Sequence, residues 1–170
     1  LDGSSAASDV YKRQLLINAK SLGNYEIVGQ TLDDAVGEAF DKVAKILDLG
    51  YPGGPKIEAL AKNGDPNAFN LPRPMTTKKN HDFSFSGLKT AVFYEFKKIN
   101  KINDVIKADL AASFQAAVAD TLLMKVSSAM EQTGLNELVI GGGVASNKYI
   151  REKLVIGLEG RSIFFPPIHR

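Results

Sequence analysis

The feature that most constrains this chain is Leu138-Val139-Ile140 running straight into Gly141-Gly142-Gly143 and on, through Val144-Ala145-Ser146-Asn147, to the helix-like stretch Lys148-Tyr149-Ile150-Arg151-Glu152-Lys153-Leu154. A short apolar strand that empties through glycines into a capped helix leaves unpaired backbone N–H groups at the helix start, with the helix dipole adding partial positive charge. Phosphate is the natural guest of such a turn. Glycine matters there because a Cβ holds an anionic oxygen off the backbone and because such turns often require φ > 0. Asn147 either caps the helix or turns its amide toward a ligand. The plain alternative is a tight strand-to-helix turn that binds nothing.

With 170 residues, 44% of them hydrophobic, the chain has enough apolar material for one domain with a core. No stretch approaches the roughly 20 apolar residues of a membrane span. No basic segment followed by an apolar one marks a secretory signal. A soluble, cytoplasmic protein without membrane contact is expected. Cysteine is absent, which excludes disulfides and thiolate metal sites. The net charge of +2 does not mark a nucleic-acid binder, but eight Lys and Arg against three acids fall between Arg73 and Lys107. That cluster either faces a polyanion or forms a solvated helix face and loop.

Along the chain, residues 1–14 are small, polar and aperiodic, and they read as a non-native leader. Strands are expected at 15–19 and 25–29, paired across a turn at Leu22-Gly23-Asn24 at the broken edge of a larger sheet. Thr31 and Asp34 have capping-box spacing. Leu32, Val36, Ala39, Val43, Ile46 and Leu47 then share one face of a helix over 32–48 that Gly50 stops. Tyr51-Pro52-Gly53-Gly54-Pro55 forces a turn, a short helix resumes over 56–63, and 64–80 is loop. Phe83-Ser84-Phe85 alternates like a strand, followed by helices over 87–98 and 105–133, the latter with Phe114, Ala117, Val118, Thr121 and Met124 inward and Gly134 as its stop. A strand at 138–140, the glycine turn, a helix to about 157 and a strand at 162–165 complete a βαβ-like end. The composite is α/β, with helices covering a mixed sheet. Both ends of the chain read as cut, so 15–170 is a partial domain.

On the helix over 32–48, Asp34, Glu38, Asp41 and Lys45 form one stripe opposite the apolar face. The stripe is either a solvated surface or, near the Pro-Gly-Gly-Pro turn, a source of carboxylate for a ribose diol. Two glycines in that turn let a flat ring lie against bare backbone. His81 and His169 are the only histidines, and neither has metal-ligand spacing. Ser84 and Ser86 lack a G-x-S-x-G setting, and the P-loop signature is missing, so a serine hydrolase and a P-loop NTPase are both unsupported.

Five ordered blocks carry a resemblance. They are Gly29 to Lys45 (GQTLDDAVGEAFDKVAK), Tyr51 to Pro55 (YPGGP), Pro72 to Met75 (PRPM), Asp82 to Thr90 (DFSFSGLKT) and Gly141 to Asn147 (GGGVASN). Over about residues 15–170 the chain resembles the TsaD family, also called Gcp or YgjD, of tRNA threonylcarbamoyladenosine transferases. The resemblance implies an actin/Hsp70/sugar-kinase-like (ribonuclease H-like) fold, here incomplete and mostly the second lobe. It implies transfer of a threonylcarbamoyl group from threonylcarbamoyl-AMP to the N6 amine of the adenosine beside the anticodon in tRNAs reading codons that begin with A. It implies a divalent metal, iron or zinc, that orients and polarises the acyl phosphate. Among partners it implies tRNA, a TsaB-like paralogue, a TsaE-like ATPase and an adenylate-forming enzyme.

By motif position, Asp41 and Gly54 would hold the adenylate's ribose and base, with Glu58 a further ribose candidate. Asn147 would contact the nucleotide, with Gly142 and Gly143 at its phosphate. The family's metal ligands belong to segments this sequence does not contain, so no metal or catalytic residue is assigned and the chain alone is expected to be inactive. The competing readings are a sugar or acyl kinase of the same superfamily, a peptidase lacking any nucleophile–base pair, and a non-catalytic module that docks protein partners.

Overall fold

The longest apolar run becomes the spine of the molecule. In this computed structural model, which describes residues 15–74, 76 and 79–167, a helix here called α4 spans Asp104–Thr133. Asn103 caps it, its side chain accepting from Ile106 N–H at 2.8 Å, and Gly134 ends it at φ 70°. Every residue from Leu110 to Ala119 is buried. A helix apolar all round must be covered on all sides, and its many alanines let neighbouring backbones approach closely.

The covering helices are α1 (Val36–Ile46), α2 (Gly53–Ala61) and α3 (Ser86–Lys98). A one-turn α5 (Gly142–Ser146) and α6 (Lys148–Gly157) add to them. Phe40 of α1 meets Phe114 of α4 edge to face, with centroids 5.0 Å apart. Strands β1 (Leu15–Ser21) and β2 (Asn24–Gln30) form an antiparallel hairpin, whereas β3 (Glu137–Val139) and β4 (Ser162–Phe164) pair in parallel. β3, α5, α6 and β4 are thus a βαβ crossover, and the glycine turn sits at the end of its first strand. No helix among the described residues is long and apolar enough to cross a membrane.

The α/β class and the order of elements agree with the sequence reading, with several local corrections. The strands make two separate two-stranded sheets, not one mixed sheet. α1 starts at Val36, not Leu32: Leu32 is exposed, and Thr31 Oγ1 donates to Asp34 O at 2.8 Å instead of completing a capping box. Asp34 therefore lies off the helix, buried, with its carboxylate on Lys42 Nζ. Thr31 to Asp34 is held in an irregular turn because its groups bond to a distant segment. Phe83 N–H donates to Gln30 O at 2.9 Å and Leu32 N–H to Phe83 O at 2.8 Å.

Those bonds reduce the expected strand at 83–85 to a single bridge between Thr31 and Phe83. Helix α2 begins three residues early and takes both glycines and Pro55 into its first turn, where proline's missing N–H costs nothing. Met124 faces outward, 48% exposed, because α4 is covered less completely toward its C-terminal half. The expected leader at 1–14, together with Met75, Lys78 and His169, lies outside the described residues.

Two carboxylates fasten the layers. Partial burial pushes the Asp33 carboxyl up, but hydrogen bonds from the Ser84 hydroxyl, the Phe85 N–H and the Ser86 hydroxyl and N–H outweigh it and hold the group below the ordinary range. Asp33 thereby caps α3 from more than 50 residues away. Burial likewise pushes Asp120 of α4 up, and Arg73 and Lys153 more than reverse it, tying the 71–76 loop and α6 to the spine.

Candidate functional site

A helix that packs closely on a neighbour needs a gap in its side chains, and Gly53 supplies it. A Cβ there would lie 2.6 Å from both Asp41 Cα and Phe40 O, and 2.9 Å from Ala44 Cβ. The close approach lets Asp41 Oδ1 accept the Gly53 N–H at 2.8 Å, so an acid on α1 caps the bare N-terminus of α2. Its other oxygen has no hydrogen-bond partner among the described residues. This side chain is neither a free surface acid nor fully spent.

Opposite stands the end of the glycine turn. Asn147 is buried between α5 and α6: its Oδ1 accepts the Ile150 N–H at 2.9 Å and its Nδ2 donates to Gln115 Oε1 of α4, also at 2.9 Å. Of the two roles open from sequence, capping is the one occupied, and the amide is turned inward to the spine. Glu58 of α2 reaches across to accept the Lys148 N–H at 2.7 Å. The start of α6 therefore receives one acceptor from its own cap and one from α2.

Between these walls lies a cleft of about 280 Å³. Asp41, Gly54, Glu58, Gly143 and Asn147 all line it, with Tyr51 at its rim and Val36, Phe40 and Ile150 among its apolar floor. Residues 106 positions apart in sequence thus share one concavity. Gly142 is not part of the lining; it stands just outside, at φ 73°, where it turns the chain from β3 into α5. At Gly54 and Gly143 a Cβ would meet nothing within 4 Å, and neither has a left-handed φ. Packing and backbone geometry do not require glycine at these two positions, so their bareness widens the cleft.

Gln115 is the site residue that sequence reading missed. Its signal was a lone amide, with Ser113, inside the apolar run Leu110 to Ala119; a polar group buried there must find a partner, and Asn147 is that partner. Among the described residues no three His, Asp, Glu or Cys lie close enough to hold a metal ion. His81 is buried, with its Nε2 on the Gln132 side-chain amide.

Comparison with known proteins converges on one family. The family model for TsaD, tRNA N6-adenosine threonylcarbamoyltransferase, matches residues 12–169. The chain belongs to the TsaD family. A relative of that name from Thermosipho africanus is 59% identical over 128 residues, covering 75% of this chain and 38% of its own length. Another from Dichelobacter nodosus is 51% identical over 155 residues, covering 90% and 45%. The chain spans less than half the length of these TsaD relatives. Among solved structures, full-length HypF in its phosphate- and nucleotide-bound form superposes with a TM-score of 0.60 over 98% of this chain and 21% of that one. At 15% identity that likeness bears on the fold alone.

Proposed function

We propose that this TsaD-family chain forms one wall of an adenylate site, within a protein that transfers a threonylcarbamoyl group from threonylcarbamoyl-AMP to the N6 amine of the adenosine beside the anticodon of tRNAs reading codons that begin with A. One observation carries the reading: Asp41, Gly54, Gly143 and Asn147, drawn from three separate motifs, line a single cleft together with Glu58. The cleft offers a carboxylate oxygen for a ribose hydroxyl, an apolar floor for a purine and bare backbone on two sides. Gly142, at the mouth of the turn, stands where a phosphate would approach α5.

In this reading Asp41 binds ribose with the oxygen that Gly53 leaves free. Asn147 acts chiefly by fixing the glycine turn on the spine, since both its amide oxygen and its amide nitrogen are bonded, whereas Glu58 holds the Lys148 N–H with one oxygen and offers the other to the ribose. The broader assignment follows the family: an actin/Hsp70/sugar-kinase-like, ribonuclease H-like fold, a cytoplasmic location, and work alongside a TsaB-like paralogue, a TsaE-like ATPase and an adenylate-forming enzyme. The family's divalent metal, iron or zinc, finds no fitting ligand cluster among the described residues. The 170-residue chain alone is expected to bind adenylate without transferring the acyl group.

The test is calorimetric titration of the chain with AMP. Saturable binding that Asp41→Ala weakens at least tenfold, with the fold intact by circular dichroism, supports the reading. Binding indifferent to Asp41→Ala, or none, removes it. Threonylcarbamoyl transfer by the chain alone would overturn the expected inactivity.

A further inference from the structure

Beyond the Glu58 side of the cleft, where α2, α4 and α6 meet, lies a second hollow of about 330 Å³. Glu58 borders both spaces, whereas Lys62, Gln115, Lys148, Tyr149 and Glu152 border the hollow and not the cleft. The segment that follows α2 is fastened to α4 along this hollow. A Cβ on Gly64 would overlap the Ala108 carbonyl, Asp65 N–H donates to Asp109 Oδ1 at 2.8 Å, and Ser113 Oγ donates to Asp65 O at 3.3 Å. A small molecule entering here does not have to order that side of its own site.

The orientation of Gln115 follows from a chain of hydrogen bonds that begins on the backbone. A backbone N–H only donates, so Ile150 fixes Asn147 Oδ1 as its acceptor. Asn147 Nδ2 is then the atom that faces Gln115, and as a donor it requires the glutamine oxygen. Gln115 Nε2 is left pointing away from the pair. Gln115 is only 4% exposed, yet its Nε2 has no hydrogen-bond partner among the described residues. Nor is that nitrogen sealed from solvent, as the unpartnered Asp34 Oδ2 and His81 Nδ1 are. A buried amide donor with nothing to hold therefore opens onto the hollow that Gln115 borders.

Charges of both signs surround this donor. Lys62, Lys148 and Glu152 form no ion pair among the described residues, and Glu58 spends one oxygen on the Lys148 N–H. An amide donor with two lysines beside it suits a carboxylate. Glu152 repels a multiply charged anion such as phosphate and accepts from an ammonium group. A plain carboxylate leaves Glu152 unused, and a plain amine leaves Gln115 unused. We propose that the hollow binds a free α-amino acid, with its carboxylate on Gln115 Nε2, Lys62 and Lys148, its ammonium group on Glu152 and its side chain against Tyr149. The site is separate from the adenylate cleft and does not rest on that reading.

The test is an NMR titration of the isotope-labelled 170-residue chain with each standard L-amino acid in turn, read at the Gln115 side-chain amide. At least one should move that signal saturably, with a Kd of about 1 mM or tighter. Its decarboxylated amine, its N-acetyl form and acetate should each bind far more weakly. Gln115→Glu keeps the oxygen that Asn147 needs and removes the donor, so calorimetry should show that amino acid weakened by about tenfold or more. The exposed Glu152→Gln, which puts no charge in the interior, should weaken it about threefold. Added AMP should leave the affinity unchanged, whether or not AMP itself binds. The proposal is overturned if no amino acid moves the Gln115 signal, or if binding ignores both Gln115→Glu and Glu152→Gln. Acetate binding as tightly as the amino acid overturns it in favour of an anion site, and competition by AMP overturns it by placing the ligand in the cleft. If the amino acid binds as described while AMP does not bind at all, this site stands and the adenylate reading falls.

Discussion

The two walls of the cleft share one core and differ in what fastens them beyond it. The wall made by α1 and α2 is part of the core: Phe40 and Val43 are buried, and Gly53 is pressed against the backbone of the neighbouring helix. The wall made by the glycine turn and α6 packs Ile150, Leu154 and Leu158 into the same core and adds side-chain hydrogen bonds, from Asn147 Nδ2 to Gln115 of the spine and from the Lys148 N–H to Glu58 of α2. Adjacent glycines in the first wall differ at finer scale. Gly53 is small because protein occupies the space a methyl would take, and Gly54 is small where nothing does. A packing glycine and a cleft-lining glycine thus sit side by side in one motif.

Substitutions can break this contrast. The largest effect is expected for Gly53→Ala, whose methyl would collide with backbone atoms that cannot rotate away, costing about 2–3 kcal/mol in urea unfolding. A neutral result would mean that α1 and α2 are not in close contact. Asn147→Ala should cost about 1–2 kcal/mol through loss of the cap and stranding of the buried Gln115 amide. Restoration of that stability by the second change Gln115→Leu would identify the stranded amide as the cause, and its persistence would point to the cap.

Acid separates the hydrogen-bonded carboxylates from the rest. The folded pKa of Asp33 lies below the ordinary aspartate value, so its contribution is complete above that value and is lost as pH falls through the lowered one. Asp33→Asn should therefore flatten the acid limb of a stability–pH curve below about 4 and leave its shape at neutral pH unaltered. An unchanged acid limb would show that the capping of α3 does not depend on that charge. The smallest effect on stability, within about 0.5 kcal/mol, belongs to Gly54→Ala. The same methyl should weaken AMP binding about tenfold, the equivalent of 1.4 kcal/mol. A large loss of stability there would erase the distinction between the two glycines.

Most of the architecture could be read from local signals. The 3.6-residue spacing and the Gly134 stop gave α4 nearly to the residue, and the glycine run placed β3 and the crossover. Errors gathered where long-range bonds replace local ones. The 31–34 turn and the 83–85 segment satisfy each other's backbone groups, so neither a capping box nor a strand forms. The motif residues of the site were legible as an acid stripe and two glycine turns. Gln115 and the Glu58–Lys148 bond were not, because each owes its role to a partner 32 or more positions away.

Hydrophobic period, caps and glycine spacing, all encoded within a few residues, fixed which segments are helix and strand and which motifs carry the site. Three-dimensional packing alone set the rest: that Asp41 is half engaged, that Asn147 faces the spine, and that Gly53 packs while Gly54 stays bare. Such outcomes depend on which distant groups meet. A residue's type states what it can bond, and the fold supplies the partner.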